Sequence, residues 1–236
     1  MEPTQELDTN LYSRQIGTFG LEAMGKLIKL KVLIVGMRGL GVETAKNLIL
    51  AGPASVDIYD PTVARVNDLG SNFYIREADV GKKSRAEASV SELRDLNPYV
   101  KVNVIQSLSM EDHSNYNVVC YTENLTSIAN LMEVNAFCRD KNIGFVLTET
   151  LGLLGYAFVD YGENHKIFDH NGENTKSFMV VSISNEERAT VMVHEDKRHS
   201  YEEGDYVSFI EVEGLKPEIN GHAPIKIVNV KGPYSF

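Results

Sequence analysis

Tryptophan is absent from the 236-residue chain, and cysteine appears only twice, as Cys120 and Cys138. Two cysteines build no disulfide framework, and their spacing matches no zinc site. Positive charge is in deficit: 23 Lys and Arg face 33 Asp and Glu, a net charge of −10 with His neutral. Such a balance repels phosphate backbones and argues against nucleic acid as a partner. No apolar run approaches the roughly 18 to 20 residues that a bilayer-spanning helix needs, so no membrane partner is expected. Residues 1–10 are polar and acidic, unlike a signal or transit peptide. What remains is a chain 43% hydrophobic and 24% charged, enough to build a sizeable core. A cytoplasmic or nuclear protein with a protein or small-molecule partner is the expectation.

Residues 11–30 carry apolar positions at helical spacings (Ile16, Phe19, Ala23, Met24, Leu27, Ile28). Gly17, Gly20 and Gly25 weaken the pattern, which predicts two short helices rather than one. Lys31-Val32-Leu33-Ile34-Val35 reads as a buried parallel strand, followed by the glycine turn 36–41. Residues 42–51 read as a helix closed by Gly52-Pro53. Residues 56–60 read as a second strand ending in an acid. The rhythm continues with a helix over 84–96, strands over 100–105 and 118–121, a helix over 126–140 and a strand over 144–148. The buried face of the 126–140 helix is expected to hold Ile128, Leu131, Met132, Val134 and Phe137. The alternation predicts an α/β fold: a Rossmann-like, mostly parallel sheet with helices on both faces, spanning residues 1–162.

Beyond residue 162 the helical patterns stop. Short β-type runs over 178–183, 189–194, 205–212 and 225–230 are separated by turn signals at Asn171-Gly172, Glu203-Gly204-Asp205 and Asn220-Gly221. Residues 163–236 are expected to form a small all-β module.

The glycine turn carries the chemistry. Its first glycine permits the bend, the second lets phosphates approach, and the third allows close helix packing. Gly36 and Gly41 fill the first and third roles, while Arg38 stands where the second glycine belongs. Asp60 ends the second strand, where an acid can accept hydrogen bonds from a ribose. Three readings stand side by side: a nucleotide site using Arg38 as the phosphate cation, a degenerate site that keeps the fold and loses the ligand, and an ordinary strand–turn–helix. Asp60 alone could equally be a solvated strand end.

Several ordered segments resemble the eukaryotic ubiquitin-activating enzymes. They are Leu11-Tyr12-Ser13-Arg14-Gln15, the turn Gly36-Met37-Arg38-Gly39-Leu40-Gly41, Asp68-Leu69-Gly70-Ser71-Asn72-Phe73-Tyr74, Asp79-Val80-Gly81-Lys82, and Arg85-Ala86-Glu87 running to Leu96-Asn97-Pro98. In the β module Gly204-Asp205-Tyr206-Val207 and Gly232-Pro233-Tyr234-Ser235-Phe236 are similar to that family's first catalytic-cysteine half-domain. The resemblance covers essentially the whole chain and implies the inactive adenylation domain of a longer enzyme that continues past Phe236.

Departures from the active pattern support the inactive assignment. Asp60-Pro61-Thr62 lacks the second acid of the active motif. Ser71 stands for its ATP-binding arginine and Asn72 for its glutamine. The ATP-binding lysine falls at Ser84 or Arg85, and Glu123 lies near the place of the catalytic aspartate. Losing one preorganised donor or charge clamp costs about 3 to 4 kcal/mol of transition-state stabilisation, so two such losses approach roughly a millionfold and three exceed it if they add. The degenerate site (Gly36, Arg38, Gly41, Asp60, Ser71, Asn72) is therefore expected to bind no cofactor. ATP and Mg would belong to the complete enzyme.

The resemblance further implies that Arg14 reaches the ATP phosphates of the active adenylation domain in trans, as a planar, permanently charged fork. The expected partners are that active domain, ubiquitin, and ubiquitin-conjugating enzymes through the complete enzyme. The acidic turn at Glu202, Glu203 and Asp205 could complement the basic surface of ubiquitin. Leu21, Met24, Leu40 and Leu48 are candidates for either interdomain packing or core. Cys120 and Cys138 read as buried hydrophobes, not as the thioester nucleophile. His165 with His170, and His194 with His199, lack a third ligand, so no metal is expected. The rival readings are a nucleotide-dependent oxidoreductase using NAD, and the inactive subunit of an enzyme activating another ubiquitin-like modifier.

Overall fold

The strand run at 31–35 is buried at every position after Lys31, and the computed structural model shows why. The model describes residues 8–123, 125–167, 175–214 and 219–236. These fall into two units, one within Met1–His170 and one within Asn171–Phe236. The first is organised by a six-stranded sheet. Its strands are β1 (Lys31–Val35), β2 (Ser55–Tyr59), β3 (Lys101–Val104), β4 (Val118–Tyr121), β5 (Gly144–Leu151) and β6 (Leu154–Asp160). They lie in the order β3-β2-β1-β4-β5-β6, parallel except for β6, which runs antiparallel to β5. This is a doubly wound, Rossmann-like arrangement.

Among the described residues four α-helices accompany the strands: α1 (Ser13–Leu27), α2 (Gly39–Ala51), α3 (Arg85–Asp95) and α4 (Ile128–Asp140). Val32 and Ile34 of β1 pack with Val42 and Ile49 of α2 and Leu93 of α3. Leu33 and Val35 point the other way, toward Leu131, Val134 and Cys138 of α4. Both faces of β1 are thus covered, so its sequence is continuously apolar rather than alternating. Each such aliphatic side chain contributes about 1.5–3 kcal/mol on full burial.

The N-terminal helix breaks at Gly20, whose φ of 81° and ψ of 162° split α1 into two pieces. It is held to the sheet unit by buried Tyr12 and Met24 and by the Gln15 amide, which donates to Ala51 O at 3.5 Å. Met24 is therefore core, whereas Leu21 is exposed and Leu40 and Leu48 are half-buried.

Two expectations need correction. In α4 the apolar stripe is only partly used: Leu131, Val134 and Cys138 are buried, but Ile128 and Met132 are 70% and 69% exposed. They line an open groove with Leu147, Tyr156 and Phe158 of the neighbouring strands. The strand expected to end at residue 148 continues to Leu151, turns through Gly152 at φ 64°, and returns as β6.

In the second unit β7 (Val180–Ile183) pairs antiparallel with β8 (Val191–Val193), and β9 (Tyr206–Val207) with β10 (Ile225–Lys226). The Val191 N–H donates to Phe236 O at 2.8 Å and the Val193 N–H to Tyr234 O at 2.9 Å. The runs expected over 205–212 and 225–230 shorten to two residues each. Near the end of the first, the Asn220 side chain binds both the N–H and the C=O of Val212, taking the place of a ladder partner. The turn at Asn171-Gly172 lies outside the described residues.

Candidate functional site

In a doubly wound sheet, ligands bind beyond the carboxyl ends of the strands where the strand order reverses. Here that point lies between β1 and β4. The chain leaves β1 through Gly36 at φ 99°, a conformation that strains any residue with a Cβ. At Gly41, in the first turn of α2, a Cβ would stand 2.0 Å from Gly36 O. Only glycine lets this helix settle on the strand end. From the other side the Thr122 hydroxyl donates to Gly36 O at 2.8 Å. A Cβ on Gly36 would meet Glu123 Cβ at 2.7 Å. The crevice between β1 and β4 is thereby lined by atoms of the protein itself.

Asp60 ends β2 and is 1% exposed, so it is not a solvated strand end. Its Oδ2 accepts the Met37 N–H at 2.8 Å and its Oδ1 accepts the Thr62 N–H at 2.9 Å. Asn72 is fully buried; its Nδ2 donates to Met37 O at 2.8 Å and to Ser89 Oγ at 2.9 Å. Met37 is thus held at its N–H by Asp60 and at its carbonyl by Asn72. Ser71 is exposed beside Gly39.

The position left open between residues 84 and 85 resolves into two roles. Ser84 caps α3: its Oγ accepts the Glu87 N–H at 3.2 Å, and Glu87 Oε2 accepts the Ser84 N–H at 2.9 Å. This capping box fixes the helix start, and the next side chain, Arg85, is turned inward and is 1% exposed. Arg85 Nε lies 3.0 Å from Asp68 Oδ2, and its Nη1 lies 3.0 Å from Glu123 Oε2 and 3.4 Å from Asp60 Oδ2. Arg38, the residue before α2, places Nε 2.9 Å from Glu123 Oε1. Two guanidinium groups therefore meet three carboxylates at the switch point.

Burial presses on Asp68, Arg85 and Glu123. It works to raise Asp68, but the Arg85 hydrogen bond, the Arg65 N–H and the Arg85 charge outweigh it and leave the carboxyl below its ordinary range. Burial also works to lower Arg85, and the hydrogen bond it donates to Asp68 together with the charges of Asp60 and Glu123 reverses it. For Glu123 burial wins: its pKa is raised despite Arg85 and Arg38. What remains open is a cleft of about 260 Å³ lined by Arg38, Arg65, Asn67, Asp68, Ser71 and Arg85, below the roughly 300–1,000 Å³ of small-molecule pockets.

The structure brings Gly36, Arg38, Gly41, Asp60, Ser71 and Asn72 together around this turn. It adds Arg85, Asp68 and Glu123, which the sequence did not single out as a cluster. The available signal was positional: Glu123 is the second residue after β4, on the far side of the reversal point.

Arg14 lies apart, exposed on the first turn of α1, and makes no ion pair among the described residues. Glu202, Glu203 and Asp205 form an exposed turn of the second unit. Asp205 Oδ2 accepts the Glu202 N–H at 2.9 Å, so Asp205 fixes the turn while the two glutamates present the charge. Burial pushes the thiols of Cys120 and Cys138 up to about 11 each, far from the thiolate a nucleophile needs. His165 is exposed, His170 lies outside the described residues, His194 sits 3.1 Å from Asp196, and His199 is buried. No group of potential metal ligands occurs among the described residues. No helix of the described residues is long and apolar enough to cross a membrane.

Comparison with known proteins extends this picture. The ThiF family matches residues 12–194, and the ubiquitin-activating enzyme E1 FCCH domain matches residues 186–236. Ubiquitin-activating enzyme E1 1 of Schizosaccharomyces pombe is 42% identical over 230 residues, 98% of this chain and 22% of that protein. Ubiquitin-like modifier-activating enzyme 1 of Homo sapiens is 42% identical over 232 residues, again 98% of the chain and 22% of the relative. Ubiquitin-activating enzyme E1 1 of Arabidopsis thaliana is 43% identical over 235 residues and is 21% covered. The chain thus spans about a fifth of the length of these relatives and corresponds to the N-terminal part of E1. Among solved structures, Escherichia coli MccB with succinimide aligns at a TM-score of 0.50 and 22% identity, over 58% of this chain and 44% of that one. This likeness concerns the fold. On the match that runs from Tyr12 through the switch point to His194, the chain belongs to the ThiF family.

Proposed function

We propose that this chain acts as the accessory half of an ATP-dependent ubiquitin-activating enzyme and does not itself adenylate. In this reading it pairs with an active adenylation domain, lends Arg14 to the triphosphate held there, and contributes its β unit to the surface that receives ubiquitin. Adenylation, thioester formation and transfer to ubiquitin-conjugating enzymes belong to the complete enzyme.

One observation carries the reading: the place a nucleotide would take is filled by the chain's own groups. Asp60 holds Met37 and faces Arg85. Glu123 brings a carboxylate to Arg38 and Arg85, the two cations a phosphate would seek. A triphosphate entering there would have to displace Glu123 and leave a buried guanidinium to re-pair. The residues therefore do not fit Mg-ATP.

Arg14 supports the other half of the reading because its guanidinium is exposed and engaged with no carboxylate among the described residues. A permanently charged fork held on an anchored helix can bind phosphoryl oxygens bidentately. The match to the E1 FCCH domain favours ubiquitin over another modifier.

The test is Arg14→Ala in the complete enzyme, assayed by pyrophosphate exchange at sub-saturating ATP. The expected result is a loss of tenfold or more, with the fold unchanged. Unaltered exchange would remove the role, and micromolar Mg-ATP binding to the 236-residue chain by calorimetry would overturn the filled pocket.

A further inference from the structure

Arg14 rides on a short piece of helix that buries nothing of its own. Between Ser13 and Gly20 no side chain is buried. The break at Gly20 (φ 81°, ψ 162°) separates this piece from the part of α1 that Met24 anchors. What fastens it is Tyr12, the buried residue just before it. The Tyr12 ring lies against Gly52, the left-handed residue (φ 92°) that closes α2. A Cβ at Gly52 would stand 2.7 Å from Tyr12 Oη, 2.9 Å from Cε1 and 3.0 Å from Cζ. Glycine at 52 thus answers two needs, the positive φ of the helix end and room for an aromatic ring. Beside the ring, the Gln15 amide donates to Ala51 O at 3.5 Å. The floor beneath is fixed: Asn97 Nδ2 and the Gly52 N–H both donate to Ile49 O, at 3.0 and 3.2 Å, and Ile49 is fully buried. On the approach, Asp8 Oδ1 accepts the N–H groups of Asn10 and Leu11 at 3.0 Å each, and Asp8 O accepts that of Tyr12 at 3.1 Å.

We propose that Tyr12, seated on Gly52, is the positioning residue that aims Arg14, an inference that rests on the phosphate-binding role proposed for that arginine. Tyr12 touches no phosphate; it acts through the backbone it holds. At about 100° per helical residue, Gln15 falls roughly 60° from Tyr12 and Arg14 about 160° away. Setting the Tyr12 ring and the Gln15 amide on the end of α2 therefore turns the guanidinium outward. An arginine loses side-chain freedom when it engages a phosphate, and a base that had to be ordered at the same moment would add to that cost. A misplacement of about 1 Å can cost roughly a hundredfold where the reaction depends on orientation. Without the ring, the piece from Ser13 to Gly20 keeps only the half-buried Gln15 and Ile16, and the break at Gly20 prevents Met24 from holding it in register. The aim of Arg14 is then lost, while the sheet and the charged cage, built from other residues, stay in place.

The experiment is a double-mutant cycle in the complete enzyme, read by pyrophosphate exchange at sub-saturating ATP. Tyr12→Ala should lower exchange tenfold or more, close to the loss in Arg14→Ala. The double variant should be no worse than Arg14→Ala alone, because both act through one contact with phosphate. Tyr12→Phe, which keeps the ring, should restore exchange to within about twofold of wild type. A general loss of folded enzyme would instead multiply with the loss at Arg14. Exchange that falls in Arg14→Ala but not in Tyr12→Ala overturns the seat and leaves the role of Arg14 standing; losses that multiply in the double variant do the same. Unaltered exchange in Arg14→Ala removes that role and the aiming with it. A second measurement needs no activity. On the 236-residue chain, where the native thiols are buried, a nitroxide attached at Arg14→Cys should give a more mobile spectrum when combined with Tyr12→Ala, with near-native circular dichroism. Identical spectra with and without the Tyr12 ring would overturn the proposal.

Discussion

Arg85 Nη1 and Glu123 Oε2 stand 3.0 Å apart, joining the first residue of α3 to the loop that follows β4. The pair spans the reversal point of the sheet, and Asp68 and Asp60 complete the shell around the guanidinium. A buried cation with its partners in place adds modestly to stability, whereas its removal strands the carboxylates. Arg85→Ala should cost about 3–5 kcal/mol in urea denaturation of this chain. Arg85→Lys keeps the charge and loses the fork, so a cost of about 1–3 kcal/mol is expected. An alanine variant within about 0.5 kcal/mol of wild type would show that the cage does not hold the turn.

The turn itself depends on an absent methyl group. With a Cβ at residue 41 placed 2.0 Å from Gly36 O and 2.6 Å from Thr122 Oγ1, the obstacle is main chain rather than a movable side-chain tip. Gly41→Ala should destabilise by at least about 3 kcal/mol, at the upper end for overpacking. Gly70 serves as the comparison: its Cβ would meet nothing within 4 Å, so Gly70→Ala should stay within about 0.5 kcal/mol. Thermal melts of the two variants side by side decide the point; equal melting temperatures would refute the close-packing role.

Much of this unit can be read from sequence because local chemistry and tertiary role agree there. The run at 31–35, the glycines at 36 and 41 and the cap at Ser84 each specify their own geometry. The β5–β6 hairpin escapes the sequence reading because Leu151-Gly152-Leu153-Leu154 offers no polar turn residue, and β6 is apolar at positions that are exposed. Ile128 and Met132 fail for a related reason: helical spacing tells which residues share a face, not whether anything covers that face. Asp60 was legible as a strand-ending acid, but its burial depends on Arg85, a residue 25 positions away. In the second unit the β-type runs were visible, yet side-chain bonds such as those from Asn220 replace much of the ladder.

The carboxylates of the cage titrate in opposite senses. Asp68 has a folded pKa below its ordinary 3.8, so the stability it adds is present above about pH 4 and is lost as pH falls through the folded value. Glu123 has a folded pKa above its ordinary 4.5, so folding favours its protonated form, and that contribution fades as pH rises through the folded value. Asp68→Asn should flatten the acid limb of a stability–pH curve below about pH 4, and Glu123→Gln should flatten the fall above about pH 4.5. Identical curves for wild type and both variants between pH 2 and 8 would contradict the assigned directions.

The acidic turn of the second unit separates charge from structure within a few residues. Glu202 and Glu203 are exposed, whereas Asp205 spends its Oδ2 on the Glu202 N–H. If the turn steers a basic protein, reversing the two glutamates to lysine in the complete enzyme should slow ubiquitin association about tenfold at low salt. The difference should shrink toward nothing near 1 M salt, where the screening length is about 3 Å. Asp205→Asn should behave differently, loosening the turn without a comparable salt dependence, because the group it loses acts through a hydrogen bond rather than at a distance. Stopped-flow association rates across a salt series distinguish the two effects. Rates for the double lysine variant that match wild type at every salt concentration would leave this turn with no part in capture.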